Sequence, residues 1–345
     1  MPAIAIDSNK PKLLNPDLRI HFVNVDHGDA IILEMPDYPD YSKKDVDYAH
    51  YAVVDTGRPG STKARLAEYL HELALLRNIE YIIDFVCITH PHEDHYGGLT
   101  PFLAKFDGEI RQFWDCGFRT TAVNYNKMLK KIAEDNRIIF ARPAAGMEFE
   151  FGKVRIYALG PSLDLRNRFD TYGVNRNNAS IVLKIQLNNS IAILSGDAHF
   201  DSWGKIVEEF PRSTKLTYYA DASVNRSEGD NQLNCQLLKV SHHGSKHGTN
   251  LEYLEKLKPT HFMVTCAEKT WYDANEPGWG NIWPHELTAL AIKEVNSKAD
   301  IKYSYKDKNV VYKLSGSKNI KVASFVEDPA DSGFSGSLES TLANL

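Results

Sequence analysis

Cysteine is scarce in this chain. Only Cys87, Cys116, Cys235 and Cys266 occur in 345 residues, far apart and with no CxxC pair, so neither a zinc knuckle nor a disulfide framework is indicated. No apolar run approaches the ~20 residues that cross a bilayer, and the N-terminus lacks a charged-then-apolar leader. A cytoplasmic protein without membrane contact is the expectation. Positive charge is not in excess: the net charge is −5 and the pI about 6.2. That balance gives no global pull toward nucleic acid or anionic lipid, so any such contact must come from a local basic patch or a metal centre. There is no internal repeat of 20–50 residues. Histidine is missing from the whole span 96–196.

The absence is conspicuous because the preceding residues are crowded with histidine. After an apolar run, Tyr81 to Ile88, that reads as a buried strand, the chain spells Thr89-His90-Pro91-His92-Glu93-Asp94-His95-Tyr96-Gly97-Gly98-Leu99. Three imidazoles and a carboxylate fall in six residues as His-x-His-x-Asp-His. Neutral imidazole and carboxylate are the usual ligands of zinc and its first-row neighbours, and a loop after a rigid strand end can turn them toward one point. Two metals about 3.5–4 Å apart activate water and stabilise a leaving oxygen.

Two later segments supply partners. Asp197 follows the apolar strand Ile191 to Leu194 and can bridge two metals, one oxygen to each. The other reading of Asp197 is an N-cap of the next helix. Leu238-Lys239-Val240-Ser241-His242-His243-Gly244-Ser245 again ends a strand in imidazoles. Adjacent side chains diverge, so His243 is favoured as ligand and His242 as the acid or phosphate contact facing substrate. His247 and His199 read as surface residues. Lys239, Lys246, Arg58 and Lys63 lie near the motifs as cations for an anionic substrate, although a surface role is the commoner one for each. Tyr218-Tyr219-Ala220 and Trp271-Tyr272 offer aromatic platforms or, more commonly, loop anchors.

Strand and helix patterns alternate through both halves. Strands are expected at Arg19 to Val25, Ala30 to Met35, Tyr51 to Val54, Ile110 to Trp114, Met147 to Phe151, Val154 to Leu159, Ser180 to Gln186 and Gln236 to Val240. Ile301 to Tyr305 and Val310 to Leu314 read as a closing hairpin. Helices are expected at Thr62 to Arg77, Val123 to Glu134, Ser202 to Phe210, Asn250 to Leu257 and Pro284 to Val295. The fold class is α/β (α+β), a four-layer αββα sandwich. One domain is expected over 19–315, with an extension at 1–18, a loop insert near the site at 206–234 and a partly flexible tail at 316–345.

These motifs resemble the metallo-β-lactamase superfamily. Their flavour is similar to the hydrolase domain of ComEC-type DNA-uptake channels and its free-standing soluble relatives. The resemblance rests on Val25-Asp26-His27-Gly28-Asp29-Ala30-Ile31, Val54-Asp55-Thr56-Gly57, the histidine motif, Leu194-Ser195-Gly196-Asp197-Ala198, Lys239 to Ser245, and Trp283-Pro284-His285-Glu286-Leu287. It covers roughly residues 20–314. No channel segment flanks that span, so DNA uptake itself is not carried over. The resemblance implies two divalent metals, zinc or alternatively manganese, held by His90, His92, Asp94, His95, Asp197 and His243. Asp94 would orient a metal-bound hydroxide, and His242 or His285 would protonate the leaving group. Asp29 and Asp55 are candidates to back the ligating histidines, and Asp29 reads equally as a carboxylate that satisfies backbone donors in its turn. His27 stands where relatives often carry glutamine, as a backing group or a solvated turn residue. Many superfamily members place a further histidine between the motif and the bridging aspartate. Here none exists, and Asn177 or Asn178 could approach as oxygen donors or simply form a turn.

The leading expectation is a metal-dependent phosphodiesterase or nuclease on nucleic acid or nucleotides. A lactonase, thioesterase or β-lactamase on the same fold is the alternative, mildly favoured by the acidic charge. A third reading is a metal-stabilised subunit of a larger complex, with a protein partner or a second copy; intact Asp94 and Asp197 speak against it.

Overall fold

The computed structural model describes residues 6–40, 43–58, 65–118, 120–163, 165, 175–210, 214–218, 224–228, 233–267, 284–326 and 334–345. Lys63, Tyr219, Ala220, Trp271, Tyr272 and Trp283 lie outside them.

Two sheets carry the architecture. The strands of the first are β1 (Leu18–Phe22), β2 (Ala30–Asp40), β3 (Lys43–Thr56), β4 (Tyr81–Ile88), β5 (Ile110–Asp115) and β6 (Ile139–Ala141). Those of the second are β7 (Glu148–Phe151), β8 (Val154–Gly160), β9 (Val182–Leu187) and β10 (Ser190–Leu194). A separate ribbon pairs β11 (Thr214–Tyr218) with β12 (Val224–Glu228), and the second sheet resumes with β13 (Leu237–Lys239), β14 (His261–Val264) and β15 (Asp300–Tyr303). β16 (Asn309–Leu314) and β17 (Ile320–Phe325) return to the first sheet, whose order is β17-β16-β1-β2-β3-β4-β5-β6. The second runs β15-β14-β13-β10-β9-β8-β7.

Alternation along the strands sorts their side chains into three cores. Leu18, Ile20 and Phe22 of β1, Leu183 and Ile185 of β9, and Ala192 and Leu194 of β10 meet between the sheets. The outer face of the first sheet is covered by α1 (Arg65–Arg77), α3 (Leu99–Lys105) and α4 (Val123–Ala133), with the short turn α2 (Glu93–Tyr96) between. Leu66, Leu70 and Leu73 of α1 recur at helical spacing and are fully buried there, each side chain stabilising by about 1.5–3 kcal/mol. Ile193 and Leu238 point the other way, against Trp203 and Ile206 of α5 (Phe200–Glu209), Leu254 and Leu257 of α6 (Leu251–Leu257), and Ile292 of α7 (Glu286–Val295). The four layers are therefore αββα.

Three expectations change. The residues of the closing hairpin do not pair with each other: β15 lies parallel to β14, whereas β16 lies antiparallel to β1 in the other sheet, with α8 (Ser304–Asp307) crossing between them. Both runs are apolar enough for either sheet, so local pattern does not choose between them. Among its described residues, the region 206–234 contains the end of α5 and the β11–β12 ribbon. The sheet also continues past residue 315 through β17, and α9 (Ser335–Asn344) buries Leu338 in the helical core beside Tyr69 and Phe334.

Strand direction positions the site. β3 and β4 run parallel in one sheet and β10 and β13 run parallel in the other. Their carboxyl ends deliver Asp55, the 89–99 loop, Asp197 and His242-His243 to one edge of the sandwich, the usual location for sites in sheets with parallel strands.

Candidate metal centre

The loop after β4 folds tightly on itself. The backbone N–H of His92 donates to His90 O (3.0 Å) and that of His95 to His92 O (3.0 Å), which turns successive side chains inward. Gly28, at φ +131°, lets the β1–β2 turn lie against this loop; a Cβ there would stand 2.3 Å from Asp94 O. Such an approach is open to glycine alone.

Two groups of donor atoms result, sharing Asp197. One comprises Asp94, His95, Asp197 and His243; the other His90, His92 and Asp197. Asp197 Oδ2 is the hub, with His95 Nε2 at 3.3 Å, His243 Nε2 at 3.5 Å, His90 Nε2 at 3.6 Å and His242 Nε2 at 3.8 Å. His243 Nε2 also stands 3.1 Å from Asp94 Oδ2, and His90 Nε2 is 2.9 Å from His92 Nδ1. The N-cap reading of Asp197 fails, because His199 occupies the cap position of α5.

Each buried ligand ring is backed from behind. Asp55 Oδ2 accepts from His95 Nδ1 (2.7 Å), and the same carboxylate accepts from Thr89 N (2.7 Å) and Thr89 Oγ1 (2.7 Å). With its hydroxyl proton given to Asp55, Thr89 Oγ1 can accept from His90 Nδ1 at 3.2 Å. Thr265 O accepts from His243 Nδ1 (2.6 Å). In all three rings Nε2 is thereby turned into the pocket, the arrangement that suits a histidine giving up its Nε2 proton to a cation.

A divalent cation fits this donor set. His95 Nε2 and Asp197 Oδ1 are buried and make no hydrogen bond among the described residues, a costly state for polar atoms without a ligand. Burial opposes charge on Asp94 and Asp197, yet His95 and His243 hold both carboxyls well below the usual range. Burial likewise opposes charge on His243, but Asp197, with Asp94 and Asp29, lifts it to about 9. Protons on these rings supply the positive charge that the carboxylates demand.

Beneath the pocket lies Lys239. It is 0% exposed, with Nζ 2.5 Å from Asp29 Oδ2, 2.8 Å from Gly196 O and 3.6 Å from Asp197 Oδ1. It is therefore an internal counter-charge and does not meet substrate at the surface. Its alternation with Leu238 turns it to the inter-sheet face, where the strand end opens under the site. Asp29 binds this ammonium and accepts from the Thr265 hydroxyl. It stays 3.7 Å and 3.8 Å from the nearer nitrogens of His243 and His95, so it acts on those rings through Lys239 and Thr265, whereas Asp55 binds its ring directly.

Other expected residues fare differently. Consecutive histidines need not diverge: His242 and His243 both adopt left-handed backbone, φ 48° and 53°, and both rings approach Asp197. His199, expected at the surface, is half-buried with Nε2 2.7 Å from His242 Nδ1. Asn178 is engaged away from the ligands, donating to Asp201 Oδ2 (3.0 Å) and accepting from Ser202 N (3.2 Å) to fasten its turn to α5. His285 caps α7, its Nδ1 accepting from Leu287 N (3.1 Å), and its own N–H donates to Gly244 O. Lys246, Glu286 and His247 are charged or titratable groups near it, and it belongs to none of the donor groups found among the described residues. His247 is exposed. His27 proves closer than a solvated turn residue: its ring packs on His243 at 4.4 Å, its Nε2 is 3.7 Å from Asp94 Oδ2, and burial pushes its pKa to about 3. Arg176, which no motif flags, is exposed near His92 and adds its charge to the burial that lowers that ring's pKa.

The family model described as the metallo-beta-lactamase superfamily matches residues 49–111, from β3 through the histidine loop into β5. Among curated proteins the chain is similar to ComE operon protein 3 of Bacillus subtilis (strain 168), 20% identical over 226 residues, covering 66% of this chain and 25% of that protein. It thus spans about a quarter of that relative's length. Among solved structures it is similar to the metallo-beta-lactamase fold protein YhfI from Bacillus subtilis, at 13% identity and TM-score 0.49 over 86% of this chain and 100% of that one. It is also similar to CmlA, a diiron beta-hydroxylase from Streptomyces venezuelae, at 12% identity and TM-score 0.47, covering 92% and 55%. A long form RNase Z from yeast gives 11% identity and TM-score 0.41, covering 85% and 41%. The resemblance to the superfamily and to its ComEC-type branch stands on the family model and the curated match.

Proposed function

We propose that this metallo-beta-lactamase-superfamily chain is a hydrolase dependent on two divalent cations, acting on phosphodiesters of nucleic acid or nucleotides. The observation that carries the proposal is the convergence of buried imidazole nitrogens and carboxylates on Asp197 Oδ2, with His95 Nε2 left without a hydrogen bond among the described residues. Cations bound there would lower the pKa of water toward ~7 and offset charge developing on a phosphoryl oxygen.

The protein's own groups do the rest. Asp197 ties the two donor sets together, and Asp94, 22% exposed in its side chain, is the ligand that also reaches the mouth. Asp55, Thr89 and the Thr265 carbonyl hold the rings in their binding tautomers. Lys239 adds one fixed positive charge to four carboxylates, Asp29, Asp55, Asp94 and Asp197, so that a centre loaded with two divalent cations has a net positive charge and favours an anionic substrate. Arg176 at the rim favours the same class. The ComEC-type resemblance supports nucleic acid or nucleotide over other anions, while the net charge of −5 favours short over long polymers.

The test is a panel on metal-loaded protein: a generic phosphodiester, single- and double-stranded DNA, RNA, cyclic nucleotides and a lactone, with Asp94→Asn as control. Phosphodiester turnover abolished by Asp94→Asn is the expected result. Absence of such turnover with zinc and with manganese overturns the proposal, and lactone turnover lost in Asp94→Asn installs the carboxylic-ester reading in its place.

A further inference from the structure

His242 and His243 are neighbours in sequence, share a left-handed backbone and approach the same oxygen. What stands behind each ring differs. Behind His243 Nδ1 is an acceptor, the Thr265 carbonyl, so with a cation bound the ring's remaining proton would sit on Nδ1 and Nε2 would offer its lone pair. Behind His242 Nδ1 is a chain of donors. It starts at the backbone N–H of Asn177, which donates to Asn175 Oδ1 (3.0 Å). That bond fixes the Asn175 amide and leaves its Nδ2 to donate to His199 Nδ1 (3.1 Å). With Nδ1 accepting, His199 in its neutral form carries its proton on Nε2, 2.7 Å from His242 Nδ1. His242 then accepts at Nδ1, and its own proton is on Nε2, the atom that faces Asp197 Oδ2 at 3.8 Å.

A second observation agrees. Asn177 Oδ1 is buried without a hydrogen bond among the described residues, while Asn177 Nδ2 lies 3.0 Å from His199 Nε2. Amide oxygen and nitrogen are assigned by their hydrogen bonds and are not seen directly. With a proton on His199 Nε2 an amide nitrogen at that position would set two donors against each other; turning the amide over puts its oxygen there and removes the conflict, while the one Nε2 proton stays nearer His242 Nδ1 at 2.7 Å.

We propose that the adjacent histidines have opposite tautomers and opposite tasks. His243 gives a lone pair to a cation. His242 presents an Nε2–H that donates to an anionic phosphoryl oxygen of the substrate, and His199 and Asn175 are the positioning residues that fix it so. The inference rests on the hydrolase reading above and adds to it a substrate contact and its support. No bond is made or broken by this contact.

Long-range 15N–1H NMR of the histidine rings tests it, since each tautomer has its own 15N shift pattern and a merely structural role would not set it. In metal-free protein His242 is expected as Nε2–H, and in Asn175→Ala that preference is lost. On loading with zinc the Nε2 of His243 shifts and that of His242 does not take a metal-bound value. His242→Ala is expected to retain both cations while phosphodiester kcat/KM falls about 100-fold, the size seen when one donor to a developing anion is removed. His199→Ala falls about 10-fold, and the double variant is no worse than His242→Ala. A metal-bound shift at His242 Nε2, loss of a cation in His242→Ala, or an Nδ1–H tautomer in the native protein overturns the inference. Failure of wild type to bind any cation would instead overturn the hydrolase reading, and the metal-free tautomer would still be read separately.

Discussion

The two donor groups share Asp197 but are furnished unequally. The group of Asp94, His95, Asp197 and His243 has four donors, and both its imidazoles are backed, one by a carboxylate and one by a carbonyl. The group of His90, His92 and Asp197 has three donors, and half-buried His92 touches its partner ring at Nδ1. Backing groups orient a ligand and raise its basicity, and their loss typically weakens a metal site 10–100-fold. On the two-cation reading proposed above, the first group is therefore expected to be the tighter pocket, and the second the more open one, with coordination left over for water and substrate.

The largest effect should come from the shared residue. Asp197→Asn removes the bridging charge from both pockets and is expected to leave no cation bound at micromolar concentration and no turnover, read by metal analysis after gel filtration. Retention of one tightly held cation would show that the pockets are independent. Next, His243→Ala is expected to abolish the tight pocket, whereas His92→Ala removes only the weaker cation; stepwise chelator titration followed by metal analysis separates the two. Equal loss in both variants would erase the asymmetry. Asp55→Asn should weaken the tight pocket about 10–100-fold through the His95 tautomer while leaving the other nearly unchanged.

The smallest effect is in pH. The metal-free His243 pKa stands above its usual 6.5, at about 9, because Asp197, Asp94 and Asp29 outweigh burial. A raised folded value stabilises the protein fully below pH 6.5 and is lost as pH rises through 9. In chelator the melting temperature is expected to drift down across that window. With cation bound the ring is deprotonated, so the drift should vanish and loading at pH 7 should release protons. A drift that persists in loaded protein would place the titration elsewhere.

Much of the site is legible in sequence because its donors lie in short segments at strand ends. His90 to His95 is one loop, and an apolar strand before it and Gly97-Gly98 after it mark where it turns. Asp197 and His243 are each announced by a strand that stops. Asp55 is readable for the same reason. His199, Arg176 and His27 are not, since each looks like a polar residue in a turn until another element arrives beside it. Lys239 misleads more strongly, because a lysine at a strand end is ordinarily solvated. Its burial requires Asp29 from the first sheet to meet it.

Sequence alone determined the strand and helix periods, the αββα layering and the ligand types, all of which depend on near neighbours and on the alternation of apolar residues. Tertiary structure decided which sheet β15 and β16 join, which residues stand behind each imidazole and how the two donor groups differ in support. The reason is physical. A ring's tautomer and a carboxylate's charge are set by atoms within hydrogen-bonding distance, and here those atoms come from strands far apart in the chain. The histidine loop could be read as a set of ligands, but only the packing of two sheets could say which nitrogen of each ring faces the site.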